Sequence, residues 1–192
     1  MLRRLYDWTI SLAEHPRALW ALAFVAFVES SVFPIPPDIL MIPMIIATPR
    51  RPFVIAGVAM LASVLGGILG YAIGWGVFET VGQPILEFYG KADAADQFAA
   101  RFNDYGAWAV LVAGVTPFPF KVITIMSGWT GLSLPIFVVS SVIARGLRFF
   151  IIAGLLWKFG TPIRDFIEKR LGLMFTLFIV LLAGGFYAVR YL

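Results

Sequence analysis

The sequence predicts an all-α integral membrane protein. Two re-entrant, proline-broken helical hairpins form an inverted repeat, and each hairpin is followed by a transmembrane helix. An N-terminal amphipathic helix and a C-terminal transmembrane helix complete the plan. Three observations lead there. Of 192 residues, 60% are apolar and 14% charged, with a mean hydropathy of +0.90, whereas a soluble domain is nearer half apolar and a quarter charged. Two long charge-poor stretches are each interrupted by clustered prolines. Those prolines also share a register, since Pro34 and Pro36 return at one constant offset as Pro117 and Pro119.

Residues 1–17 mix Arg3, Arg4, Asp7, Glu14, His15 and Arg17 with Leu2, Leu5, Trp8, Ile10 and Leu12. That is too polar to span and suits an interfacial amphipathic helix. No apolar core with a cleavage site follows Met1, so the N-terminus is expected to be kept. The first repeat, 18–78, opens with a run, 18–49, whose only charges are Glu29 and Asp38. Pro34, Pro36, Pro37 and Pro43 break this run. Proline removes a backbone donor and kinks a helix, so two half-depth helices meeting at an elbow fit better than one straight span. Irregular backbone is tolerated at that depth only inside protein or a wet cavity. Arg50, Arg51 and Pro52 end the hairpin, and 53–78 is an uncharged run long enough to cross.

The connection 79–104 carries net charge −3 and is expected to lie on the surface as short helices. The second repeat, 105–160, begins with a run, 105–144, that holds one charge, Lys121, and a break at Pro117 and Pro119. Its apolar stretch continues to Trp157 and carries Arg145 and Arg148. In 161–192 an interfacial segment precedes a last span, 171–189. The basic residues at 3–17, 50–51 and 158–170 all fall on one side if the hairpins enter from opposite faces, as the positive-inside rule requires. Such cations serve as anchors at anionic headgroups rather than as a nucleic-acid surface.

The same offset that places Pro34 on Pro117 and Pro36 on Pro119 also places Pro52 on Pro135 and Asp38 on Lys121. Hairpins entering from opposite faces, with broken helices meeting near the midplane, are the inverted-repeat plan of many secondary transporters. The elbows are therefore the expected site. Glu29 and Asp38 flank the first elbow, Lys121 follows the second, and Arg145 and Arg148 share a face of the next helix. An ionisable group in a membrane costs at least ~2.5 kcal/mol on insertion scales, so it faces protein or water and has a use. That use is either ion pairing between hairpins or a polar cavity, where acids exchange protons and cations hold a phosphate. Gly66, Gly70 and Gly74, with Tyr71, form a stripe suited to close helix packing. A nucleotide cradle would need a Gly-Lys-Ser/Thr sequence after a strand.

The absence of cysteine and the single His15 leave little for thiolate or histidine chemistry, so neither a metal nor a cofactor is expected. No nucleophile motif accompanies the carboxylates, and transport is expected rather than catalysis. The partners expected are membrane lipids and protons, not nucleic acid, with a homo-oligomer as an open option. A proton-coupled exporter or channel for small ions, and a non-transporting envelope scaffold, compete with lipid transport.

Four segments in order carry a family resemblance. They are Glu29-Ser-Ser-Val-Phe-Pro34-Ile-Pro36-Pro-Asp38, Gly66-x3-Gly70-Tyr71-x2-Gly74, Thr116-Pro-Phe-Pro-Phe-Lys121 with Ser127-Gly128, and Arg145-Gly-Leu-Arg148-Phe-Phe150. Together they resemble the DedA family of bacterial inner-membrane proteins, also called the SNARE-associated or VTT-domain family, in its YqaA-like branch. The resemblance covers about residues 20–160. It implies a multi-pass protein of the bacterial inner membrane that acts as a flippase or scramblase for undecaprenyl phosphate or a phospholipid. It also implies essential roles for Glu29 and Asp38. The chain departs from the family around the second elbow, where Lys121 stands alone in place of paired arginines; lysine lacks their bidentate fork.

Overall fold

The computed structural model describes residues 17–32, 36–90, 92–116 and 118–160. The amphipathic helix expected before Arg17, the last span expected after Gly160, and the elbow prolines Pro34 and Pro117 lie outside the described residues.

Among the described residues all regular structure is helical. Helix α1 is Ala18–Glu29, α2 Asp38–Ala47, α3 Pro52–Val77, α4 Gln83–Phe88, α5 Ala92–Asp104, α6 Gly106–Val115, α7 Phe120–Trp129 and α8 Leu134–Gly160. At 1.5 Å per residue, α1, α2, α6 and α7 reach only about 15–18 Å. That is roughly half of a ~30 Å hydrocarbon core. Helices α3 and α8, of 26 and 27 residues, are each long enough to cross it.

Local sequence sets the ends. Pro52 occupies the first turn of α3, where its missing N–H costs nothing. Helix α7 stops at Gly131, whose φ of 65° only glycine adopts freely. There Gly131 N–H donates to the Gly128 carbonyl and Leu132 N–H to that of Ser127, capping the helix C-terminus. The Tyr71 hydroxyl donates to the Leu132 carbonyl at 2.7 Å, and Asn103 Nδ2 to that of Thr130 at 2.7 Å. This corner aims α8 back along α3.

One boundary differs from the sequence reading. The α3 rod does not end at Phe78; it passes through a π-helical turn, Phe78–Gly82, and continues as α4 to Phe88. Polar residues after Glu79 mark the exit from an apolar medium, which need not coincide with the end of a helix. Pro84 comes just after the π-helical turn, where the hydrogen-bond register of the rod changes.

Helices α3 and α8 run antiparallel. Phe53 stacks on Phe150 and meets Trp157, while Tyr71 meets Phe137 at the other end. The core has two lobes. One joins Leu22 of α1, Met41 and Ile45 of α2, Ile55 and Ala59 of α3, and Phe149 and Ala153 of α8. The other joins Val110 of α6, Phe120 and Ile123 of α7, and Phe137 of α8, with Ile68 and Tyr71 of α3 against it. The outward faces are apolar as well: Leu61, Leu65 and Leu69 on α3, and Ile143, Leu147, Ile151 and Leu155 on α8. Helices that are hydrophobic all round belong in lipid when they are not enclosed by protein.

Three glycines let α3 approach its neighbours. A Cβ at Gly66 would overlap the Phe27 carbonyl of α1, and one at Gly74 the Ile125 carbonyl of α7. At Gly70 it would overlap Thr124 Oγ1 and press on the Ser30 carbonyl. Gly128 of α7 is in the same position against the Tyr71 carbonyl. The α1–α3–α7 contact is thus backbone to backbone, and it brings the residues beside both elbows to the middle of α3.

Candidate functional site at the two elbows

Glu29 is the last residue of α1 and Asp38 the first of α2, so the first elbow is bounded by carboxylates. Arg145 and Arg148 lie near the middle of α8, one turn apart. The fold pairs them in order. Arg145 Nη2 donates to Glu29 Oε2 at 2.8 Å, and Arg148 Nη2 donates to Asp38 Oδ2. Both acids come from the first half of the chain and both arginines from the second.

The two pairs differ in how completely they are satisfied. Arg145 is 1% exposed. Its guanidinium lies over the rings of Phe120 and Phe149, 4.9 and 4.7 Å from their centroids, which favours a cation through the ring quadrupole. Arg145 Nε also donates to Ser63 Oγ at 2.6 Å. Ser63 Oγ in turn shares a 2.7 Å hydrogen bond with Ser30 Oγ, and Ser30 Oγ donates to Glu29 at 3.1 Å. Thr124 Oγ1 donates to the Ser30 carbonyl at 3.0 Å, tying α7 to the same cluster. A buried ion pair survives its desolvation cost only when such extra hydrogen bonds satisfy it.

The Asp38–Arg148 pair is more open, with side chains 17% and 15% exposed. Arg148 Nη1 donates to the Thr116 carbonyl of the second elbow at 2.6 Å. Lys121 reaches the opposite way, its Nζ 3.4 Å from the Val32 carbonyl of the first elbow. Asp38 Oδ1 is buried and finds no hydrogen-bond partner among the described residues. Leaving such an oxygen unmatched costs free energy that a donor group would recover.

Of the residues singled out from sequence, Glu29, Asp38, Arg145 and Arg148 come together directly, and Lys121 joins them through the elbow backbone. Pro36 and Pro119 flank helix starts at the elbows, whereas Gly66, Gly70, Tyr71 and Gly74 lie on α3 and hold the frame. Sequence reasoning missed Ser63, Thr124, Thr116, Phe120 and Phe149 as members of the site. The available signal was weak: Ser63 is a hydroxyl inside an otherwise apolar helix. No group of three or more His, Cys, Asp or Glu side chains converges among the described residues. Three cations against two carboxylates leave the elbow cluster one positive charge in excess when all are ionised.

The Ser63 link is testable. Ser63→Ala leaves Arg145 Nε without its acceptor in a dry site, and an unmet buried donor costs about 1–3 kcal/mol. The variant is expected to unfold earlier in a detergent thermal melt, with Ser63→Thr recovering part of the loss.

The VTT-domain family model matches residues 35–158. An uncharacterized protein of Haemophilus influenzae is 36% identical over 168 residues, which cover 85% of this chain and 87% of that protein. An uncharacterized protein of Histophilus somni matches with the same identity and coverage. No solved structure matches the chain.

Proposed function

This chain belongs to the VTT-domain family of helical membrane proteins, and from that premise we propose that it is a transporter moving a lipid phosphate across the bilayer. Undecaprenyl phosphate and phospholipids are the candidate cargoes, and a bacterial inner membrane is the setting. The observation that carries the reading is the open Asp38–Arg148 pair between two elbows, beside Lys121 and within a cluster of net positive charge. Arg148 and Lys121 supply donors suited to phosphate oxygens, and a phosphate that takes Arg148 releases Asp38. The unmatched Asp38 Oδ1 is where a coupling proton would be held.

The helix layout supports an inverted repeat of re-entrant hairpins. Helices α2 and α3 begin at Asp38 and Pro52, and α7 and α8 begin at Phe120 and Leu134, each one position from the register of the elbow prolines. Exchanging the halves converts the Phe53–Phe150 contact into Gly67–Ile136, one position from the observed approach of Gly67 to Phe137. The exchange converts the Ser63–Arg145 contact into Gly146–Ala62, one position from itself, which favours a pseudo-twofold axis beside that pair. For antiparallel spanning helices such an axis would lie in the membrane plane, and elbows near mid-depth would match where inverted-repeat transporters bind their substrates.

Purified protein in liposomes is expected to move fluorescent anionic or polyprenyl phosphate lipids faster than empty vesicles, read by dithionite quenching. Arg148→Gln removes a charge-assisted bond worth about 1.5–3 kcal/mol, so transport is expected to fall roughly tenfold or more. Rates equal to those of empty vesicles in the parent protein would overturn the reading. Transport that survives in the parent but tracks vesicle pH without any anionic lipid would favour a small-ion exporter instead.

A further inference from the structure

Away from the elbows, the strongest feature is a concentration of positive charge at one end of the bundle. Arg50 and Arg51 form the turn into α3, and Lys158 lies in the last turn of α8. The Phe53–Trp157 ring contact, 6.0 Å between centroids, shows that these two termini are neighbours. All three cations are exposed. No carboxylate among the described residues is paired with them, since both recorded ion pairs belong to the elbow arginines. The remaining described acids, Glu79, Glu87, Asp93, Asp96 and Asp104, belong to the connection beyond the far end of α3.

We propose that Arg50, Arg51 and Lys158 form a collar that binds the anionic phospholipid headgroups of one leaflet. Three further features fit this partner. Beside the cations in the chain are two partly exposed aromatic residues in ring contact, Phe53 and Trp157. Aromatic rings with basic residues just outside them are the arrangement that suits the water–hydrocarbon boundary. The turn is also stiff. Pro49 and Pro52 bracket the arginines, Thr48 Oγ1 donates to the Met44 carbonyl, and Arg51 N–H donates to the Thr48 carbonyl at 3.1 Å. Finally, the N-terminus of α3 carries no side-chain cap, so its helix dipole adds to the attraction for phosphate. The far end, carrying acids, offers the opposite potential, so binding is confined to one leaflet.

The collar does not depend on the transport reading, and its test does not use transport. The full chain in neutral detergent is titrated with phosphatidylglycerol or phosphatidylcholine, and the thermal midpoint is followed at low and high salt. Phosphatidylglycerol is expected to raise the midpoint, phosphatidylcholine to do so much less, and about 0.5 M salt to suppress the difference by screening. Removing one collar cation is expected to shift the titration to roughly fivefold higher lipid, and Arg50→Gln with Arg51→Gln together to about 25-fold higher. Because these side chains are exposed, the lipid-free midpoint should stay put. Equal effects of the two lipids, or an unchanged titration in the double variant, would overturn the collar. So would a titration abolished by Lys121→Gln but not by the collar variants, because headgroups would then be binding at the elbows.

Discussion

Arg145→Ala is expected to destabilise the protein by about 3–5 kcal/mol, the usual cost of breaking a buried pair from one side. The substitution strips Glu29, whose side chain is 12% exposed, of its 2.8 Å partner. It also opens a void beside Phe120 and Phe149, whose rings both lie against the guanidinium. Unfolding in a denaturing detergent series measures the loss. The charge component can be separated from the packing component. Glu29→Gln with Arg145→Met removes both charges and keeps the volume, so the double variant should be more stable than Arg145→Met alone. Such a positive coupling identifies Glu29 and Arg145 as one unit. If the double variant instead loses the sum of the two single losses, the pair contributes no mutual stabilisation. The same experiment distinguishes the two elbow pairs: Arg148→Ala should cost less, because that pair is less completely buried.

A comparable loss is expected from Gly74→Ala and from Gly128→Ala. Each Cβ would overlap a backbone carbonyl of the facing helix, Ile125 in one case and Tyr71 in the other. A flexible side chain could swing aside, but a helix backbone can yield only by moving the whole helix. Overpacking of this kind costs about 1–3 kcal/mol or more, and here it separates α3 from α7. The thermal midpoint should fall in both variants. Gly57→Ala, where an added Cβ meets nothing within 4 Å, should leave it unchanged. Lipid transport should fall with Gly74→Ala even in the surviving folded fraction, since Lys121 and Thr124 ride on α7.

The contrast between these two predictions shows what a sequence can and cannot convey. Composition alone makes the chain helical and membrane-bound, because backbone groups in hydrocarbon must be satisfied within the segment. The prolines mark the elbows because a missing N–H is a local property. The recurrence of glycine at every fourth position, Gly66, Gly70 and Gly74, is local too, and it marks a face. What that face meets is a tertiary fact, and the matching glycine, Gly128, carries no comparable pattern. The acid and arginine partners are 116 and 110 residues apart in the chain. Spacing places Arg145 and Arg148 on one face but leaves open which acid each one takes. Ser63 is harder still, since one hydroxyl in an apolar helix can satisfy itself on the preceding turn. The extension of the α3 rod through Phe78–Gly82 to Phe88 was obscured for a different reason, because polarity reports the medium around a helix and not its length.

In the proposed mechanism, lipid phosphate binds between the elbows and displaces Asp38 from Arg148. A photoreactive lipid phosphate, incorporated with the full chain in liposomes and mapped by peptide mass spectrometry, tests it most directly. Cross-links are expected to concentrate in residues 29–38 and 116–121, to be competed by unlabelled lipid phosphate and to be lost in Arg148→Gln. Cross-links confined to the outer faces of α3 and α8, unchanged in Arg148→Gln and indifferent to competitor, would contradict it.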